Sequence, residues 1–180
     1  YITRASRKNL QYEVIPVEDN LKKKNKLYEL VEHCEKPAIV YASRTKTVEE
    51  LASALSKLDN FSTTFFHGKL DNKEKVKNQD AFMSEESEVI VATSAYGMGV
   101  DKDNVKTVIH FDIADSLENY IQEAGRAGRD GKTSLSVLIY NSSDLENLDR
   151  SIALKYPEPK LVKRVYSLLF QEYQIAYGTG

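Results

Sequence analysis

Val89-Ile90-Val91-Ala92 is an unbroken apolar run that leads directly into Thr93-Ser94-Ala95-Tyr96-Gly97-Met98-Gly99-Val100-Asp101. A second apolar run follows, Val108-Ile109-His110-Phe111, and after it Gln122-Glu123-Ala124-Gly125-Arg126-Ala127-Gly128-Arg129-Asp130-Gly131. Short apolar runs bounded by turn residues read as strands covered on both faces, as in a parallel sheet. The hydroxyls of Thr93 and Ser94, with Gly97 and Gly99, stand immediately after such a strand. In open α/β sheets that edge binds ligands, so the loop offers donors to phosphates or sugars.

The closing segment reads as a helix. Asp115 followed by Glu118 is a capping-box pattern, which predicts a helix start near Ser116. Helical spacing puts Gln122, Arg126 and Arg129 on one face, with Asp130-Gly131 as the stop. One reading is a solvated stripe whose arginines complement the helix dipole. It leaves Gly125 and Gly128 unexplained, because each costs about 1 kcal/mol against Ala inside a helix. Glycines that admit a backbone or a phosphate, beside paired guanidinium groups, suit an anion better.

These two segments resemble motifs V and VI of superfamily 2 helicases. The wording Ala-Tyr-Gly-Met-Gly-Val-Asp-Lys and Gln-Glu-Ala-Gly-Arg-Ala-Gly-Arg-Asp-Gly is similar to the RecQ family of ATP-dependent DNA helicases. The resemblance implies the second RecA-like domain of such an enzyme. In that role Arg126, Arg129 and Gln122 are catalytic, with the arginines acting as fingers on the γ-phosphate. Gly97, Gly99, Asp101, Gln122, Arg126 and Arg129 form the nucleotide side of the cleft. ATP and Mg2+ are bound mainly by the first RecA-like domain, which is the partner across the cleft. DNA, single-stranded or partly duplex, is the substrate of 3′–5′ unwinding.

Working outward, residues 38–41 form a short apolar strand that feeds Ala42-Ser43-Arg44-Thr45. A helix follows with Val48, Leu51, Ala52 and Leu55 on one face, and Thr47 with Glu50 forms a capping box. Strand, polar loop and helix N-terminus together gather phosphate oxygens. The segment resembles motif IV, which implies DNA-backbone contacts from Ser43 and Arg44. His67-Gly68 follows a strand over residues 62–66 and resembles motif IVa. A lone histidine there is either a hydrogen-bonded structural residue or a phosphate contact. The resemblance adds His67, Gly68, Thr93 and Ser94 to the DNA-binding set.

The remaining pattern alternates strands and capped helices: strands at residues 11–16, 107–111 and 134–140, and helices after Asp19 and Asp71. This predicts an α/β fold, a RecA-like doubly wound parallel sheet flanked by helices. Lys22, Lys23, Lys24 and Lys26 are expected on a solvated face, His33 and Cys34 as packing residues, and Val76, Phe82 and Met83 in the core. Ser6-Arg7-Lys8-Asn9-Leu10 resembles the segment entering the second motor domain of RecQ proteins, with Lys8 where Pro is usual. Residues 1–155 are expected to be the helicase domain and 156–180 a helical extension toward a further region. A four-cysteine zinc module lies downstream in RecQ proteins, and the tail holds no cysteine to begin one.

Composition narrows the alternatives. Lys and Arg number 25 against 27 Asp and Glu, so global charge does not advertise a nucleic-acid binder. Cys34 is the single cysteine, which excludes a disulfide framework or a cysteine zinc site within these 180 residues. No apolar run approaches a membrane span, and a cytoplasmic location is expected. Gly131-Lys132-Thr133 mimics the end of a P-loop, but Arg126 stands where its first glycine belongs, and no Asp-Glu pair exists for magnesium. The chain begins at Tyr1 rather than Met and reads as a piece of a longer protein that lacks the nucleotide-gripping half. The alternatives are a DEAD-box-like RNA helicase C-terminal domain, whose motif VI usually begins His-Arg, and a non-catalytic α/β nucleic-acid-binding module.

Overall fold

The computed structural model describes residues 7–97 and 102–173, with side chains through residue 170. Its strands are β1 (Leu10–Pro16), β2 (Ala38–Tyr41), β3 (Thr63–Phe66), β4 (Val89–Ala92), β5 (Thr107–His110) and β6 (Ser134–Tyr140). Its helices are α1 (Asn20–His33), α2 (Thr45–Leu55), α3 (Asn72–Met83), α4 (Leu117–Ala124), α5 (Ser142–Lys155) and α6 (Pro159–Tyr173). The strands form one sheet in the order β1-β6-β5-β2-β4-β3, and every neighbouring pair is parallel. The expected doubly wound parallel α/β architecture is the observed one.

The apolar runs account for the layers. Every residue of β2, β4 and β5 is buried. Alternate positions of one strand enter opposite cores, as the two-residue period requires. Val40 joins Leu27 and Val31 of α1 and Val48, Leu51 and Leu55 of α2 on one side. Ile39 and Tyr41 join Phe82 of α3, Tyr96 and Ala127 on the other. Each such fully buried aliphatic or aromatic side chain contributes about 1.5–3 kcal/mol relative to exposure.

The chain passes from β2 out to β3, returns to β4, and then crosses to the other side of β2 to build β5. That reversal makes the C-terminal ends of β4, β2 and β5 the switch point where such sheets bind ligands. The loops carrying motifs IV and V leave this edge.

Helix starts follow local chemistry. The Asp19 side chain accepts from Lys22 N at 2.8 Å, and the Asp71 side chain accepts from Glu74 N at 2.8 Å. Other expectations need correcting. α2 begins two residues before Thr47, with Arg44 as N-cap and no side-chain cap, so Thr47 and Glu50 do not form a box. Val76 is 59% exposed and Met83 is at the surface, so α3 contributes Phe82 alone to its core. His33 is solvent-facing, with Nδ1 2.8 Å from Glu29 O, whereas Cys34 does pack against the core.

The chain divides into two compact units, Tyr1–Leu145 and Glu146–Gly180. In the second, α6 presents Leu161, Val165, Leu168 and Leu169 at helical spacing, all about half exposed. Among the described residues no helix is long and apolar enough to cross a membrane.

Candidate functional site

The segment expected as one helix from residue 116 to 129 is shorter. Ser116, not Asp115, is the N-cap of α4, its hydroxyl accepting from Asn119 N at 3.2 Å. The helix ends at Ala124, with Gly125 as C-cap. Gln122 therefore sits exposed on α4, while Arg126 and Arg129 lie in the turns beyond it. The single-face arrangement of all three does not exist. Gly128 adopts φ +66°, and a Cβ there would meet the Ser134 hydroxyl at 2.0 Å. This glycine admits a neighbouring strand.

Three carbonyls of that turn are held from the lead-in segment. The Arg7 guanidinium donates to Gly125 O at 2.9 Å, to Ala127 O, and to Gly128 O at 3.5 Å. Asn9 Nδ2 donates to Gly128 O at 2.8 Å and to Lys132 O at 2.9 Å. Carbonyls released at the end of a helix need such donors.

The two arginines then part company. Arg126 is 7% exposed, and its Nη2 donates to Gly97 O at 2.8 Å. Arg129 is exposed. Around Arg126 stand Tyr41, whose hydroxyl donates to Tyr96 O at 3.1 Å, and Tyr96, whose ring meets Phe66 and Phe82. Burial pushes both phenols well above the ordinary tyrosine range, an effect that the Arg126 charge partly offsets. Of the loop's expected ligand residues, Gly97 lies against Arg126, whereas Gly99 and Asp101 fall outside the described residues.

The nucleic-acid candidates share the same edge. Ser43 and Arg44 follow β2 and are exposed, and Ser94, exposed, follows β4. Thr93 is 8% exposed, its N–H donating to Phe66 O at 3.1 Å. Gly68 is exposed after β3, but His67 is buried with Nε2 2.9 Å from Glu49 Oε1. At the end of β5, His110 is fully buried with Nε2 3.0 Å from Glu123 Oε2.

The chain matches the helicase conserved C-terminal domain family over residues 22–131. It is 34% identical over 155 residues to a probable ATP-dependent DNA helicase RecS of Bacillus subtilis, covering 86% of this chain and 31% of that protein. It is 38% identical over 144 residues to the ATP-dependent DNA helicase RecQ of the same organism, covering 79% of this chain and 24% of that one. The chain is a helicase C-terminal domain of the RecQ type. It spans less than a third of the length of these relatives. The fold is also that of the yeast DEAD-box splicing factor Prp28, with a TM-score of 0.72 and 25% identity over 83% of this chain and 33% of that one.

One group in this helicase domain was expected on the wrong side of the surface. Lys23 is 1% exposed, not solvated. Its ammonium contacts Asp144 at 2.7 Å and Asp112 at 3.4 Å and lies 4.4 Å from the centre of the Phe111 ring. Asp112 Oδ2 in turn accepts from both Ser43 N (2.8 Å) and Ser43 Oγ (2.7 Å). Burying a lysine requires paired carboxylates, and these come from β5's exit and the start of α5. Only the position of Asp112 right after a buried strand hinted at it.

Proposed function

We propose that this domain is the second motor domain of an ATP-dependent DNA helicase. It supplies Arg129 to a nucleotide held by the first RecA-like domain and grips single-stranded DNA during 3′–5′ unwinding. The observation that carries the nucleotide half is the contrast between the arginines. Arg126, expected as a finger beside Arg129, is buried and tied to the motif V loop through Gly97 O, so we assign it to the nucleotide side of the cleft as the group that holds the turn. Arg129 is exposed three residues on, as a group must be to reach a phosphate on another domain. Gln122, exposed on α4, stands on the same segment and is assigned to positioning a phosphate oxygen. Gly97, Gly99 and Asp101 are assigned to the nucleotide side of the cleft.

ATP with Mg2+ supplies the free energy, and the first domain carries most of its binding. An arginine finger is worth about 10³–10⁵ in rate, roughly 4–7 kcal/mol of barrier. Such a group works by meeting charge that develops in the transition state.

For DNA, the uncapped N-terminus of α2 is the natural phosphate site. Its first N–H groups have no side-chain cap, and Arg44 and Lys46 flank it in solvent. His67, Gly68, Thr93 and Ser94 complete the proposed track along the edge, and Ser43, whose N–H and hydroxyl both go to Asp112, belongs to it by shaping the start of α2. His67 acts there through its backbone, since its ring is engaged by Glu49. Residues 1–155 are assigned to the motor and 156–180 to a helical extension, in a cytoplasmic enzyme.

ATP turnover by the full-length protein tests the assignment. It should be stimulated by single-stranded DNA more than by RNA, and Arg129→Ala should abolish it while leaving DNA affinity unchanged. Turnover unaffected by that substitution removes the finger, and preferential RNA stimulation favours the DEAD-box reading. Purified residues 1–180 should show no ATPase activity.

A further inference from the structure

The ion-pair chain from Lys23 to Ser43 has a consequence for nucleic-acid binding. A free carboxylate next to the α2 N-terminus would repel the phosphates expected there, yet Asp112 sits at that edge with 22% of its side chain exposed. It is engaged on both oxygens. Oδ2 takes the N–H and the hydroxyl of Ser43, and Oδ1 faces the buried Lys23 ammonium. Lys23 cannot leave, because Asp144 and the Phe111 ring enclose it. The Ser43 hydroxyl, spent on Asp112, has no proton left to donate to a phosphate. Its role is to be held.

We propose that Lys23 is a positioning residue for DNA: it neutralises Asp112, which through Ser43 aims the first N–H groups of α2 at the phosphate. The inference rests on the reading of the α2 N-terminus as a DNA-backbone site. It assigns work to a residue about 20 positions upstream of that site that never touches nucleic acid.

The test measures binding of a labelled oligo-dT strand to the full-length protein, with the KM for ATP and thermal melting measured in parallel. Lys23→Met should weaken DNA binding about tenfold or more with little change in the ATP KM. Replacing Asp112 by Asn as well removes the charge but keeps an acceptor for Ser43, and should restore affinity to within about threefold. The Lys23→Met/Asp144→Asn pair should stay weak, since Asp144 does not touch Ser43. Wild-type affinity of Lys23→Met overturns the proposal, as does rescue through Asp144 rather than Asp112. An equal loss in DNA affinity and in the ATP KM marks a merely structural role and also overturns it.

If Lys23→Met does not fold, Asp112→Ala carries the test, and binding as tight as wild type overturns it. Arg44→Ala separates the two levels. If it too leaves affinity intact, the DNA site itself is misplaced. If it weakens binding while the Lys23 variants do not, only the positioning role falls.

Discussion

Arg126 Nη2 donates to the carbonyl oxygen of Gly97 at 2.8 Å, joining motif VI to motif V across 29 positions of sequence. The guanidinium fills the space beside Gly97 that a side chain at that position would occupy. A Cβ at position 97 would stand 2.2 Å from Nη2 and 2.7 Å from Cζ.

Gly97→Ala should therefore expel the Arg126 side chain and shift the turn that carries Arg129. A displacement of about 1 Å at a catalytic group costs about 10²-fold in rate, and ATP turnover of the full-length protein should fall by that order. DNA binding at the α2 end should change little. Turnover within a few-fold of wild type would show that the loop absorbs the methyl without moving the arginine.

Arg126→Ala and Arg129→Ala should separate on stability. Removing the buried Arg126 leaves Gly97 O without its charged donor, at about 1.5–3 kcal/mol. Removing Arg129, whose exposed side chain is screened by solvent, should cost less, within about 1 kcal/mol of wild type. Urea unfolding of the two variants reads the difference directly. Equal destabilisation would contradict their division into a structural and a reaching group.

Gly128→Ala meets two obstacles, a left-handed backbone at φ +66° and the Ser134 hydroxyl at 2.0 Å. Strain of this kind costs about 1–3 kcal/mol for the backbone alone. Calorimetry should show a lower melting temperature than for Gly131→Ala, where nothing lies within 4 Å of an added Cβ and only the positive φ penalises the change.

Arg7→Ala removes donors from Gly125 O, Ala127 O and Gly128 O together. Amide hydrogen exchange should accelerate across residues 125–131, while the strands at the centre of the sheet stay protected. ATP turnover should fall with it, because the turn bearing Arg129 loses its outer support. Unchanged exchange in that segment would assign its shape to the glycines alone.

The buried phenols of Tyr41 and Tyr96 set an alkaline limit. Both titrate above the ordinary tyrosine value of 10.0 in the fold because burial disfavours the phenolate. Their contribution is complete below the unfolded value of 10.0 and is lost as pH rises toward the folded values, where the unfolded chain gives up its protons first. Chemical denaturation followed above pH 10.0 should show falling stability, and Tyr41→Phe should flatten that slope while losing the bond to Tyr96 O.

The agreement between pattern and structure is uneven in an instructive way. Asp19 and Asp71 cap their helices as their spacing predicts, because a cap is settled within one turn of chain. Thr47 misled for the same reason: a capping pattern is only local, and the loop from β2 delivered the backbone into α2 two residues earlier. Gly128 did signal close approach, but the partners are Ser134 and Asn9, whereas the space at Gly125 is taken up by the Ile121 carbonyl of its own helix.

The strands, the capped helices and the edge that carries the motifs follow from hydrophobic runs and caps, since each of those signals is complete within a few neighbouring residues, whereas the order of the strands in the sheet is set only by the tertiary structure. The fate of individual charges does not. Lys23 among lysines looks solvated until residues 89 and 121 positions away, Asp112 and Asp144, converge on it. Arg126 and Arg129 look equivalent until the turn after α4 buries one and exposes the other. Electrostatic roles depend on distance through space, and those distances exist only once the sheet has brought its loops together.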